Sequence, residues 1–374
     1  MLNLSVDDKQ WIAQTLDKAK SKIAFSSRQM GVRLPFTTEN GIYDNQYDIK
    51  KGWWTNGFYA GILWKMYNET KDNFYLETAR GVQKLLDDAI LEFKDLHHDV
   101  GFMWLLSSVA DYRLTGDETA KQRGMLAASL LCARFNIKGG YIRAWNHNPG
   151  WSIIDSMMNI PLLYWASDNM DDNRFAAIAR QHADKTAKFA VRGDGSVKHI
   201  IEYDTETGEE IQSHGGQGYD AGSSWTRGQA WAIYGFALSY IHTGKKTYLD
   251  TAKKVAHYFI SNITDDYIPV VDFRAPKEPV IKDSSAGVIA ACGLIEIAKA
   301  VGENESDLYL DAALKILRAT AEKCADFTEE NQQLINFGTG SYHQESSHHM
   351  SLIYGDYYFL EALIKLGGKD ILFW

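Results

Sequence analysis

Apolar positions recur at helical spacing nearly from end to end of this chain, in two alternating kinds of segment. The first kind is amphipathic. Residues 73–82, 246–255 and 308–314 share a Tyr-Leu-acid core followed by alanine, and residues 172–179 repeat the outline more weakly. Each follows a break such as Thr70-Lys71-Asp72, Gly244-Lys245 or Gly302-Glu303. The second kind is rich in Gly, Ala and aromatics and poor in charge along its length. It covers residues 55–67, 100–114, 153–166, 224–240, 284–300 and 351–366, and should be buried on most sides. Polar-faced and buried helices alternating at a period of roughly 60 residues predict about six helical hairpins. Such a repeat closes into a ring with the buried helices inside. The expected fold is therefore all-α, an (α/α)6 barrel forming one domain over residues 1–374. The long linkers (31–52, 136–150, 193–222, 265–282 and 326–349) all run from an outer helix to the next inner one, so they emerge at one rim. The third of them carries Gly208, Gly215, Gly216 and Gly218, with a short hairpin expected near 197–203.

Composition narrows the function. Eleven Trp and 20 Tyr supply rings that stack on sugar faces as well as filling a core. A net charge of -9 argues against nucleic acid or anionic membrane as partner, while leaving room for a local basic pocket. No apolar run approaches the roughly 18 residues of a membrane span, and the N-terminus has no signal-peptide pattern. Cys132, Cys292 and Cys324 sit in apolar helical stretches without metal-ligand spacing, as buried thiols of a reducing compartment would. A cytoplasmic location is the expectation.

Candidate chemistry gathers at the inner-helix starts. Asp99 and Asp155 each open an apolar helix at the loop-bearing rim. An aspartate there is ordinarily an N-cap, stabilising its helix by about 1 kcal/mol. Two carboxyls near one another can instead hold different protonation states and act on a carbohydrate. Their company favours the second use: Trp53-Trp54-Thr55-Asn56, Tyr141-Ile142-Arg143-Ala144-Trp145 and Trp225-Thr226-Arg227-Gly228-Gln229-Ala230-Trp231. Arg227 falls one turn before Trp231, which puts a charge clamp beside a stacking face, and helix N-termini aimed at one cavity favour an anionic sugar. His97 and His98 beside Asp99 invite a metal, but no HExxH spacing accompanies them, and no nucleotide loop or Gly-x-Ser-x-Gly elbow is present. No metal and no cofactor is expected.

In these motifs the chain resembles the unsaturated glucuronyl hydrolases, glycoside hydrolase family 88. The resemblance runs through Trp54-Thr55-Asn56-Gly57-Phe58, His97-His98-Asp99-Val100-Gly101-Phe102, Ile153-Ile154-Asp155, the Trp225–Trp231 run, Asp283-Ser284-Ser285-Ala286, Ser341-Tyr342-His343 and Gly355-Asp356-Tyr357-Tyr358. It implies the same barrel. It also implies removal of a Δ4,5-unsaturated uronic acid from lyase-generated oligosaccharides by hydration of the double bond. On that likeness Asp155 is the acid/base and Asp99 the second essential carboxyl, with a positioning and electrostatic role. Arg227 and Trp231 contact the uronate, Trp54 and Trp145 wall the pocket, and His199 and Gln217 surround substrate and water. Ser213 and Gly215 are looser loop matches. Ala221 and residues 344–351 depart from the pattern, which leaves the acceptor sugar open, with a lean toward sulfate through Ser346, Ser347 and His348. A pectin-directed relative of the same chemistry, a sugar epimerase and a non-catalytic carbohydrate-binding protein are the competing readings.

Overall fold

The computed structural model describes residues 2–374. Six outer helices, Val6–Met30, Asn73–Glu92, Glu118–Cys132, Asn173–Phe189, Lys246–Asn262 and Glu303–Lys323, alternate with six inner ones. The inner helices are Phe58–Thr70, Val100–Trp104 continuing through Ala110–Thr115, Ser156–Asn159 continuing through Pro161–Met170, Thr226–Thr243, Ser284–Ala300 and Ile353–Leu366. Each inner helix packs on the next and the last packs on the first, closing the ring. The chain thus adopts the expected (α/α)6 barrel. Among the described residues no helix is long and apolar enough to cross a membrane.

Capping separates the two layers. Ser5 and Asp8 form a reciprocal capping box on the first outer helix, and Asp72, Asp117 and Asp172 each accept a backbone N–H at the start of another. No inner helix start is capped by its own side chain. Asp99, Asp155 and Asp283 occupy cap positions there without capping, so their carboxyls are free for other partners.

Two inner segments differ from the periodic reading. The second inner helix opens into a π-turn at Leu105–Val109. The third begins at Ser156, because Trp151–Ile153 leaves the helical register and pairs as a strand with Ile200–Tyr203. That strand pairs in turn with Glu210–His214, making a three-stranded antiparallel sheet in place of the lone hairpin expected near 197–203. The β-branched alternation of Ile200-Ile201 turns one side chain toward each face of this sheet. The sheet ties the Asp155 segment to the 193–222 loop.

The inner ring is packed to backbone contact. A Cβ on Gly101 would lie 2.4 Å from Asn159 Cα, and one on Gly235 would lie 2.5 Å from Met157 Cβ. At the end opposite the long loops, Lys65, Lys365, Glu296, Glu361 and Asp370 form a largely buried ion network. Trp374 closes it, donating its indole N–H to Glu361 and stacking on Tyr358.

Candidate active site

The long loops and the inner-helix starts enclose a cavity of about 790 Å³. Asp99, Asp155, Arg227, Gln217, Trp54 and Trp145 all line it. Six residues scattered over 173 positions of sequence therefore meet in one place.

The two carboxyls lie on neighbouring helix starts. Asn159, one turn beyond Asp155, donates to Asp99 Oδ1 at 3.1 Å and to the Asp155 carbonyl at 3.1 Å, and accepts the Phe102 N–H at 2.8 Å. Burial pushes Asp155 up to about 7, opposed by the Arg227 charge. Burial also holds Asp99 well above the usual carboxylate range; the charge of Asp155 adds to this and the Asn159 hydrogen bond opposes it. Burial is the main cause for both, and the two carboxyls, on neighbouring helix starts, oppose each other's ionisation.

A buried histidine backs each aspartate. His98 Nδ1 sits 2.9 Å from the Ala144 carbonyl oxygen, and its Nε2 lies 3.1 Å from Asp99 Oδ1. His199 Nδ1 sits 2.9 Å from the Gly215 carbonyl oxygen, and its Nε2 lies 3.8 Å from Asp155 Oδ1. Burial keeps both rings neutral, His98 well below its ordinary value and His199 down to about 3. His98 Nε2, His199 Nε2 and Asp155 Oδ1 are nonetheless buried without a hydrogen-bond partner. Unpartnered polar atoms of this kind are costly in a finished core and useful around a reacting molecule.

Arg227 is buried and sandwiched between Trp225, 4.4 Å from its ring centroid, and Tyr354 at 5.6 Å. Nη1 pairs with Asp283 at 2.7 Å and with the Thr339 carbonyl, and Nη2 donates to the Gly340 carbonyl at 2.8 Å. Nε has no partner, so the Nε–Nη2 edge is the part of the fork left for an anion. Gln217 closes the adjoining wall through Nε2 to the Gly340 carbonyl at 2.7 Å. Trp54 leans on Tyr354 at 4.9 Å, and Trp145 presents its edge to His98 at 5.7 Å.

Four expected residues fall elsewhere. Trp231 is fully buried beneath Trp54 and Phe102, at 6.4 and 5.1 Å, and does not line the cavity. His199 stands behind Asp155, and Gly215 acts through its carbonyl on that ring. Ser213 lies on the Glu210–His214 strand, outside the cavity lining, and donates to the Ala221 carbonyl at 3.3 Å. Ser346 and Ser347 line the mouth with Ser341 and Gln344, whereas His348 turns back to the Ser341 and Tyr342 carbonyls. Lys50, Lys94, Asn146 and His147, which sequence reasoning passed over, line the mouth as well. Asn159 was also missed. A lone amide on an apolar inner helix, one turn after Asp155, was the available signal.

His97, His98 and Asp99 offer one donor atom each within 4.8 Å of one another, and are the residues that could hold an ion. The Nδ1 atom of each ring is already engaged, His97 Nδ1 with His98 Nδ1 at 3.2 Å and His98 Nδ1 with Ala144. No fourth donor of a zinc-type set joins them among the described residues.

Residues 33–361 match Glycosyl Hydrolase Family 88. The chain is 37% identical over 366 residues to an unsaturated glucuronyl hydrolase of Bacillus sp. (strain GL1), covering 94% of this chain and 96% of that one. It is 33% identical over 382 residues to an unsaturated chondroitin disaccharide hydrolase of Streptococcus pneumoniae, covering 98% and 94%. The crystal structure of an unsaturated glucuronyl hydrolase from Streptococcus agalactiae superposes with a TM-score of 0.91 at 31% identity, covering all of this chain and 95% of that one.

Proposed function

The chain belongs to glycosyl hydrolase family 88, and from that premise we propose that it releases a Δ4,5-unsaturated glucuronic acid from the non-reducing end of lyase-generated glycosaminoglycan or related oligosaccharides. The reaction is hydration of the C4=C5 bond. The observation that carries it is a pair of buried carboxyls, Asp155 raised to about 7 and Asp99 held well above the usual carboxylate range, opening with an arginine edge into one cavity.

Asp155 is the acid. Its proton passes to C4 as the oxygen of a water molecule bonds to C5, and the Asp155 carboxylate so formed takes the water's proton. Water is thereby added across the double bond and Asp155 is regenerated. The product is a hemiketal at C5. Its opening breaks the ring and turns C1 into a hemiacetal, which collapses and frees the remaining sugar. No glycosyl-enzyme bond forms, so Asp99 need not be a nucleophile. Asp99, held well above the usual carboxylate range by burial, works against a second negative charge in the buried pair during the step.

Arg227 meets the uronate carboxylate with its Nε–Nη2 edge, Trp54 and Trp145 flank the sugar, and Gln217 bounds the place of the water, with His199 behind Asp155. Trp231 contributes from below by supporting Trp54. Asp155→Asn tests the assignment: the amide cannot supply the proton, so turnover should vanish while the disaccharide still binds. Near-normal turnover in that variant would refute the reading.

A further inference from the structure

Asn159 occupies a place that the hydration scheme above leaves without a role. Its side chain is fully buried and all of its hydrogen-bonding capacity toward the two aspartates is used. The Asp99 helix begins with unsatisfied N–H groups, as every helix does. Asp99 stands at its cap position yet makes no cap hydrogen bond. The Phe102 N–H goes instead to Asn159 Oδ1, across the interface between two inner helices. The same amide's nitrogen then holds Asp99 Oδ1 and the Asp155 carbonyl. This reach depends on the bare Cα of Gly101, where a Cβ would lie 2.4 Å from Asn159 Cα and 2.6 Å from its Oδ1.

We infer that Asn159 is a positioning residue for the reaction: it caps the Asp99 helix in place of Asp99, releases that carboxyl to the cavity, and fixes it against the Asp155 segment. The inference rests on the hydration reading and names the residue that sets the geometry of its acid pair. Misplacement of a reacting group by about 1 Å can cost on the order of 100-fold in rate. A residue that acts through the two aspartates and does not line the cavity should therefore move kcat and spare substrate binding.

Two variants separate this role from a merely structural one. Asn159→Leu keeps the branching at Cγ and removes every side-chain hydrogen bond. Asn159→Asp keeps an acceptor for the Phe102 N–H and loses the amide donor, so it decides the matter if the leucine variant does not fold. Kinetics on an unsaturated chondroitin disaccharide should show kcat lowered about 100-fold or more in each folded variant, with KM within about threefold. In a double-mutant cycle, Asp99→Asn combined with Asn159→Asp should be no slower than Asp99→Asn alone, because the second change acts through a group already removed. A folded Asn159 variant with kcat within threefold of the parent, a loss confined to KM, or fully multiplicative losses in the cycle would overturn the inference. Asp155→Asn is assayed beside them. If it is dead while the Asn159 variants are fully active, only the positioning role fails; if it is active, the hydration reading itself fails.

Discussion

Replacing Asp155 by asparagine removes the titratable proton and changes the shape of the pocket hardly at all, which makes its consequences separable. The folded protein holds Asp155 near 7, above the ~3.9 of an unfolded aspartate. Between those values the folded state binds the extra proton, so stability falls as pH rises through that window and the loss is complete above about 7. Asp155→Asn escapes the loss. Its Tm should exceed the parent's by about 2–4 °C at pH 8, with the gap closing as pH is lowered toward 4, as scanning calorimetry can show. In the parent, kcat should decline about tenfold per pH unit above about 7 as the acid form is lost. A kcat that stays level to pH 9 would contradict Asp155 as the acid. Arg227 is harder to probe than its sequence position suggested, because Asp283 depends on it. Arg227→Ala strands a buried carboxylate at a cost of about 3–5 kcal/mol. Arg227→Lys keeps the charge and loses the fork, so it should raise KM about tenfold with a smaller effect on kcat; an unchanged KM would count against the uronate contact.

Among the elements, capping explains both what the sequence disclosed and what it hid. Aspartates that cap outer helices and aspartates that serve the site occupy the same position relative to a helical pattern. Asp72 has the extended backbone of a cap (ψ 120°) and turns its carboxyl back to its own helix, whereas Asp99 (ψ 7°) does neither. Neighbouring Trp, Arg and His residues betrayed the second kind. Periodicity failed for Trp231, because an inner helix buried all round has no polar face to mark which side looks into the cavity. It failed again at 151–155, where Trp-Ser-Ile-Ile reads equally as helix or strand until the 200–203 partner is known. The backbone contacts of the inner ring give an element-scale prediction. Gly235→Ala forces a Cβ against Met157 and should cost about 1–3 kcal/mol in urea unfolding. Lys254→Ala, on an exposed outer-helix position, should stay within about 0.5 kcal/mol. Equal effects of the two would argue against a tightly packed inner ring.

For the molecule as a whole, the barrel's two ends do different work. One end carries the long loops, the uncapped helix starts and the cavity. The other is closed by buried ion pairs and by Trp374, which touches Tyr358, Phe58 and Phe102, the last two lying directly under Trp54. Trp374→Ala should destabilise the protein by about 3–5 kcal/mol, read from its denaturation midpoint. A loss below 1 kcal/mol would show that the barrel closes without it. Helix count, ring closure and the loop-bearing rim were legible in the chain because an alternating repeat admits few closed packings. The mouth residues Lys50, Lys94 and His147 were not, since they come from loops without periodicity. The central claim is hydration of an unsaturated uronate, and the ultraviolet absorbance of the conjugated C4=C5 bond reports on it directly. Purified protein is mixed with unsaturated disaccharides from chondroitin, hyaluronan, heparin and pectin lyases, with Asp155→Asn in parallel. Decay of the absorbance with stoichiometric release of the second sugar is expected from at least one glucuronyl substrate, and no decay in the variant. Persistent absorbance on every glucuronyl substrate, or decay that survives in Asp155→Asn, would contradict that claim.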